Sequence, residues 1–585
     1  MSGENGGINS GSEGEPEDLR VDDGPADKPE CEGESENLSG DQAPADKPEG
    51  EQTQVKDSGE PSVQTRVKRV GLAALILSMG IMCSRLLGYV REAVIAYQAG
   101  AGAETDAYNA AFLLPDMMNH FLAGGTLSIT FIPLFAGYLS KNEPKRAERL
   151  FSLIATTMGT LLVAAIILCW SFAIPLAQLL FPGFSPEQIA NTVSMTRIIL
   201  PGQFFHYMGG LMMAVLMAQG QFLPSAMAPL IYNLLIIICG LVLGGTLGMQ
   251  GFAIGALLGA VLGPFLLPLV FLKSRLRYRP VFGFGDRDFK KYIFLTLPLM
   301  IGASLTTVDE WVGKFLGSNM EAGSISWLNY ARRLVLVPIA IVGQAAGQAA
   351  LPYLSQLSAR GEFDTAAATL HKTLRNVVIL SLIMVGFFVI LAEPMVSIVY
   401  ERGAFSAEDT AKTAMILRIL AISIVFWTIQ MVSVRAFYAA QNTLTPMILT
   451  TIVTLISLPV YYFLSQWMGL PGLALASCIG MAMQASSIVI FYHRRNVHFK
   501  PLKIVRAMGT GIVFGLIAAA GSYGGLWLVR QIQMESHLWK VLLELGIPGC
   551  IGVCLVCIFA RFLIPEEFMG FWSKIRRRLP GRLKR

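Results

Sequence analysis

The chain has 585 residues, of which 53% are hydrophobic and only 15% charged, with a formal net charge of +6 at pH 7 and a mean hydropathy of +0.54. Soluble proteins carry roughly 25% charged residues, so this composition excludes a soluble enzyme, a disulfide-rich secreted module and a fibrous protein. The charge is divided unevenly: residues 1–60 hold 18 acidic and 4 basic side chains, net −14, and the remaining 525 hold 22 and 42, net +20.

Residues 1–65 open the chain with Gly, Glu, Asp, Pro and Ser, and PADKPE occurs twice, at Pro25–Glu30 and Pro44–Glu49. Such a segment buries too little apolar surface to offset its chain entropy, which predicts a disordered acidic cytoplasmic tail. It lacks the basic and apolar regions of a signal peptide, so none is expected. A run of about 20 apolar residues crosses the hydrocarbon core. From Val70 onward about fourteen such runs follow, near 70–98, 105–139, 149–171, 188–218, 223–245, 248–272, 288–317, 324–357, 370–399, 408–439, 444–467, 470–493, 503–530 and 538–563. The fold class expected is therefore an all-α polytopic membrane protein with about 14 transmembrane helices. Cys550, Cys554 and Cys557 sit in the last run with no ligand-type neighbours, so no metal is expected.

Loop charge sets orientation. Alternate connections carry Arg66/Lys68/Arg69, Lys141/Lys145/Arg146/Arg149, Lys273/Arg275/Arg277/Arg279, Lys372/Arg375 and Arg494/Arg495/Lys500/Lys503, as does the end with Lys574, Arg576, Arg577 and Arg578. The opposite turns are nearly free of basic residues, so both termini are expected in the cytoplasm. An internal repeat is also visible. Phe184-Ser185-Pro186-Glu187 matches Phe405-Ser406-Ala407-Glu408, Gln219-x4-Pro224 matches Gln441-x4-Pro446, Gly248-x2-Gly251 matches Gly469-x2-Gly472, and Gly124 and Pro133 match Gly343 and Pro352. The offset, near 220 residues, spans six helices. An even number keeps the orientation, so two six-helix lobes related by a pseudo-two-fold along the membrane normal are expected, as in alternating-access transporters. The division reads 66–280 for the first lobe, 281–497 for the second, 498–565 for two further helices and 566–585 for a basic cytoplasmic tail.

Ionisable side chains inside spans are costly and by default mark function. The first span places Arg85, Arg91 and Glu92 well inside; the second carries Asp106 near its outer start, then Asp116, Asn119 and His120. Asp106 is read either as a cavity residue or as a helix cap. The seventh span holds Asp309, Glu310 and Lys314, with Asp309 read as an ion-pair partner or a cation ligand. The eighth holds Arg332 and Arg333, which as neighbours cannot share one face, so one is expected to face the cavity and the other a partner or the interface. Arg197, Arg418 and Arg435 are weaker candidates. Several arginines around one cavity suit a multiply charged anion, because guanidinium groups bind phosphate oxygens bidentately. There is no Walker motif, HExxH or nucleophile elbow, so neither an enzyme nor ATP-driven transport is indicated, and no nucleic-acid partner is expected. Ion gradients or the membrane potential remain as the energy source.

The segments SRLLGYVREAVIAYQAGAGAETDAYNAAFLLPD, AQGQFLPSAMAPLIYNL, LAEPMVSIVYERGAFSAEDT and VRAFYAAQNTLTP resemble the MurJ (MviN) family of lipid II flippases, within the multidrug/oligosaccharidyl-lipid/polysaccharide exporter superfamily. The likeness runs from about Val70 to Arg495. It implies fourteen helices, a V-shaped cationic cavity, and a last helix pair forming a groove for a lipid tail. It also implies movement of lipid II, an undecaprenyl-diphosphate-linked peptidoglycan precursor, between leaflets of the bacterial inner membrane, among membrane lipids and alongside the cell-wall synthesis machinery. By position, Arg85, Arg91 and Arg333 match the family's cavity arginines that would contact the diphosphate, Glu92 its acidic neighbour, Asp106 its second-span acid and Asp309 an acid used for sodium in some members; Arg332 is added as a candidate diphosphate contact and Asn442 as a candidate cation residue beside Asp309. The chain departs from the family at Leu113 and at Asn119/His120, where relatives often carry basic residues, at Asn442, where some carry Asp, and at Leu336, where some carry an acid. A flippase for another polyprenyl-diphosphate oligosaccharide, of O-antigen type, is the alternative reading.

Overall fold

The computed structural model describes residues 63–123, 130–272, 276–301, 305–496, 498–532 and 536–563. The acidic tail, Gly124, the Lys273/Arg275 pair and the basic C-terminal tail lie outside them. Among the described residues every regular element is a helix, as expected where no water is present to satisfy an open backbone. The chain opens with α1 (Val63–Ala99), then a broken series of α2 (Ala103–Ala111), α3 (Leu113–Met118), a π-helical segment (Asn119–Ala123) and α4 (Ile132–Ser140). Next come α5 (Pro144–Ser171), α6 (Ala173–Leu180), α7 (Pro186–Ile199), α8 (Gly202–Ala218) and α9 (Leu223–Leu247). They are followed by α10 (Met249–Ala260), a second π segment (Val261–Leu266) and α11 (Leu267–Leu272).

The second half repeats this order. It comprises α12 (Arg287–Ile301), α13 (Leu305–Gly317), α14 (Ser324–Pro338), a π segment (Ile339–Gln344), α15 (Ala345–Ala359), α16 (Phe363–Tyr400), α17 (Ala407–Ala421), α18 (Ser423–Ala439), α19 (Leu444–Met468) and α20 (Leu470–Arg495). The chain's last described helices are α21 (Leu502–Arg530) and α22 (His537–Leu563).

Among the described residues ten helices are long and apolar enough to cross a membrane, or eleven if α17 and α18, bent by 43°, form one span. The expected fourteen is not reached by that measure. The three remaining runs are α1, the 103–140 series and the 287–317 pair, and these carry Arg85, Arg91, Glu92, Asp106, Asp116, Asp309, Glu310 and Lys314.

The repeat is visible in the backbone itself. Ser185 and Ser406, 221 residues apart, each close a capping box, accepting from the amides of Gln188 and Asp409. Gly248 (φ 55, ψ −136) and Gly469 (φ 62, ψ −136) make the same turn into α10 and α20, in a region essentially open only to glycine. The offset is 219 before the turn at 181–186 and 221 directly after it, so the second copy is two residues longer there.

α21 is seated on the second lobe by small residues: a side chain at Gly386 of α16 would strike the backbone carbonyl of Gly515, and one at Gly511 would meet Leu382. α22 packs in turn on α21 through Gly521, Gly525 and Gly552. Close approach of this kind is how helices associate in a solvent as apolar as their own side chains. Gly386→Ala is therefore expected to lower the thermal unfolding midpoint in detergent by overpacking worth about 1–3 kcal/mol. Gly509→Ala, which meets nothing within 4 Å, should leave it unchanged; equal midpoints would refute the packing.

Candidate functional site

The two halves meet through a polar seam at the end of the bundle opposite the basic turns. Asp106 lies in the first turns of α2 and is 1% exposed. Its carboxylate caps another helix. One oxygen accepts from the Gly323 amide at 2.7 Å, and the other from the Ser326 amide at 2.8 Å and the Ser326 hydroxyl at 2.6 Å. These are unsatisfied donors at the positive end of α14, where a carboxylate is favoured. Around this anchor Asn109 donates to Ser326 at 3.3 Å, Asn329 donates to Asn109 at 3.1 Å, and the Tyr330 hydroxyl donates to the Gly100 carbonyl at 3.2 Å. The Ala404 amide adds a bond to the Tyr97 carbonyl at 2.8 Å.

Below the seam lies a cavity of about 480 Å³, with Asn109 and Asn329 in its lining. Its charged groups come from four helices: Arg91 and Glu92 from α1, Asp116 from α3, Glu310 and Lys314 from α13, and Arg332 and Arg333 from α14. Arg91 pairs with Glu92 at 2.6 Å, and Arg333 reaches the same Glu92 oxygen at 3.6 Å. Lys314 lies 3.5 Å from Asp116 and 3.4 Å from Glu310. Arg332 turns back to Asp309 at 2.7 Å. Counting Asp309, which lies behind the lining, four cations thus meet four acids and the cluster is formally neutral, although the lining alone carries +1. Burying an unpaired charge costs several kcal/mol, which explains why each has found a partner. Two donors are left over, since Nε of both Arg91 and Arg333 is buried with no partner.

Both Arg332 and Arg333 line the cavity, Arg332 at the same time paired with Asp309 and Arg333 with Glu92. Adjacent side chains diverge, and these two reach acids on different helices. Arg85 lies outside the cavity lining, exposed, and donates to Gln344 at 2.9 Å, bridging α1 and the 339–344 π segment. Asp106 sits in the roof and is used up by its capping bonds. His120 packs edge-on against Trp311 at 5.5 Å between ring centroids. Arg197 and Arg418 lie away from the cavity, and Arg435 stacks over Tyr438.

The pairing of Asp309 with Asn442 as a cation site is not what the structure builds. The Asp309 carboxylate accepts from Arg332, from the Tyr461 hydroxyl and from Ser477. Asn442 instead accepts from the Thr445 amide at the start of α19. Tyr461 lies 17 residues beyond Leu444 on that helix, about 26 Å at a rise of 1.5 Å per residue. A carboxylate already holding a guanidinium and two hydroxyls does not fit a bound metal cation. Several neutral partners were not legible beforehand: Asn233, which accepts from Arg91 at 3.0 Å, Asn109, Asn329, Tyr461 and Ser477. Neutral polar side chains in apolar runs carry no signal of their own.

Comparison with known proteins bears on this arrangement. The family described as "Lipid II flippase MurJ" matches residues 95–543. A probable lipid II flippase MurJ of Vibrio cholerae is 26% identical over 510 residues, covering 84% of this chain and 96% of its own length. One of Aquifex aeolicus is 27% identical over 476 residues, covering 80% and 90%. Among solved structures, a lipid II flippase MurJ in an inward closed conformation matches with a TM-score of 0.69 at 23% identity, over 84% of this chain and all of that one. An inward-facing multidrug resistance MATE family transporter of the MOP superfamily matches with a TM-score of 0.60 at 18% identity, over 73% and 98%. These likenesses to solved structures bear on the fold alone.

Because the Asp106 carboxylate carries three bonds across the seam, Asp106→Ala is expected to destabilise the fold by roughly 2–3 kcal/mol. Asp106→Asn, which keeps one accepting oxygen, should cost less. Thermal unfolding in detergent measures the difference, and an unchanged midpoint in the alanine variant would remove Asp106 as the anchor.

Proposed function

The chain belongs to the lipid II flippase MurJ family, and on that premise we propose that it moves lipid-linked peptidoglycan precursor from the inner to the outer leaflet of the bacterial cytoplasmic membrane by alternating access, with both termini in the cytoplasm. The observation that carries this reading is the charge-paired cavity between the lobes, closed at one end and holding arginines with donors to spare. The diphosphate of the cargo is read as the group that meets them. Arg91 and Arg333 share the single carboxylate of Glu92, so an incoming phosphate oxygen competes with one acid to engage two guanidinium groups.

The neutral balance bears on release as well as capture. A diphosphate brings negative charge into a cavity whose acids have just lost their partners, so binding is held back from becoming tight. A carrier that has to let go needs this restraint. Lys314 spans the lobes by pairing with both Asp116 and Glu310, and the seam is a set of hydrogen bonds; both can part and re-form as the lobes rock about the site. For energy, the saturated Asp309 favours the membrane potential over a bound sodium ion, at about 2.3 kcal/mol per charge per 100 mV.

Two outcomes follow. Arg91→Ala and Arg333→Ala should each abolish rescue of a flippase-depleted bacterium while the protein persists in the membrane; growth at the wild-type rate with either variant would sink the assignment. Replacing sodium by potassium in vesicles at fixed membrane potential should leave lipid II translocation unchanged. Sodium-dependent transport would overturn the reading of Asp309.

A further inference from the structure

The internal repeat provides a comparison within one molecule. In each lobe an arginine on the helix after the 181–186 or 400–406 turn sends Nε to a backbone carbonyl of an earlier helix. Arg197 of α7 donates to Trp170 at 3.3 Å, and Arg418 of α17 donates to Val389 at 3.3 Å. The arginines are 221 residues apart and the carbonyls 219, the two offsets that hold on either side of the turn. The same bond is therefore made twice.

What happens to the rest of the guanidinium differs. In the second lobe Arg418 faces Glu393 at 3.9 Å. Glu393 also binds Arg530 of α21 at 3.1 Å, and Arg530 lies 3.7 Å from Glu544 of α22. That cation is matched by Glu393 of α16, and the added helix pair joins the same network through Arg530 and Glu544. In the first lobe the position equivalent to Glu393 is Ile174, 48% exposed, and among the described residues Arg197 forms no ion pair. α16 is continuous where α5 and α6 are broken at Phe172. Beside that break lies a cleft of about 480 Å³ between α6 and α7, above the roughly 300 Å³ at which small-molecule sites begin. Arg197, Ser194 and Gln178 give it a polar side, and Phe181, Ile189 and Val193 an apolar wall. The Trp170 ring holds the guanidinium in place, with the charged carbon 4.8 Å from its centroid.

The depth is telling. α7 and α8 together run 33 residues from Pro186 to Ala218. The hydrocarbon core takes about 20 of these, so Arg197 lies within the core, about one to two turns from its edge, where a long side chain extends towards the headgroups. A guanidinium at that depth without a carboxylate calls for an anion from the bilayer. We infer that the cleft between α6 and α7 binds a phosphate-headed membrane lipid, with the phosphate on the Arg197 guanidinium and an acyl chain along the apolar wall. A free phosphate ion would leave that wall unused. The cleft shares no lining residue with the cavity.

Native mass spectrometry of the full chain tests this, with phosphatidylglycerol, diacylglycerol (no phosphate) and inorganic phosphate as probes. Wild type is expected to retain one phosphatidylglycerol more than Arg197→Gln, with affinity falling about tenfold in the variant. Ala190→Phe, which fills the cleft and spares the charge, should lose the same lipid, and Arg418→Gln should keep it. Equal retention by wild type, Arg197→Gln and Ala190→Phe would overturn the site. So would diacylglycerol binding as well as phosphatidylglycerol, or inorganic phosphate binding at Arg197 with no lipid retained. A competing polyprenyl diphosphate separates two sources of the same chemistry. Displacement identifies the lipid as the transported kind and its absence as bilayer phospholipid, and either result upholds the site.

Discussion

The cavity exists because one carboxylate reaches across the molecule. Asp106 belongs to α2, yet its oxygens satisfy the first turn of α14, and through that bond the second half of the chain is registered against the first. In an apolar surrounding the alternative is a buried charge facing three unmet donors, so the pairing is obligatory once both groups are out of water. Everything below inherits its position from it: Asn109 and Asn329 as a roof, Arg333 within reach of Glu92, and α13 alongside α3. The seam is polar and is made of many bonds of modest individual strength, which suits a joint that has to be complete when closed and yet separable.

The charges below the seam follow the same constraint. No cation in the cavity is idle, yet the pairs are not fixed couples. Glu92 serves two arginines and Lys314 serves two acids. A shared partner can be surrendered by one of its two claimants without leaving a bare charge, so the network can rearrange around a ligand at lower cost than isolated pairs would allow. Asp309 is the contrast: with Arg332, Tyr461 and Ser477 on it, it is saturated, and it ties α13 to α14, α19 and α20.

Much of this was legible in the sequence, because a membrane simplifies the reading. Apolar run length gave the helices, and the repeat appeared as matched turn residues whose backbone roles prove the same: Ser185 with Ser406, and Gly248 with Gly469. Arg91, Glu92, Arg332 and Arg333 stood out since charge within a span is rare. The partnerships among them could not be read, because they link residues up to about 240 positions apart through crossings that no local pattern encodes. For the same reason Asp106 stayed open between a cavity residue and a helix cap, with no sign of which helix it caps, and Asn442 looked like a neighbour of Asp309 when most of a helix separates them. Spacing along one helix is visible in a sequence; which helix stands opposite is not.

The two-residue difference between the turns has a consequence for descent. A duplicated unit begins with identical halves, and symmetric halves would present identical faces to each other. An insertion inside a helix would rotate everything after it by some 200° and spoil the packing, whereas one in a turn leaves both flanking helices as they were. The second copy carries its two extra residues at 401–404, and it is this longer turn that delivers the Ala404 amide to Tyr97 in the first copy. A small lengthening, harmless to either half alone, thus turned one copy into the latch and the other into the keeper.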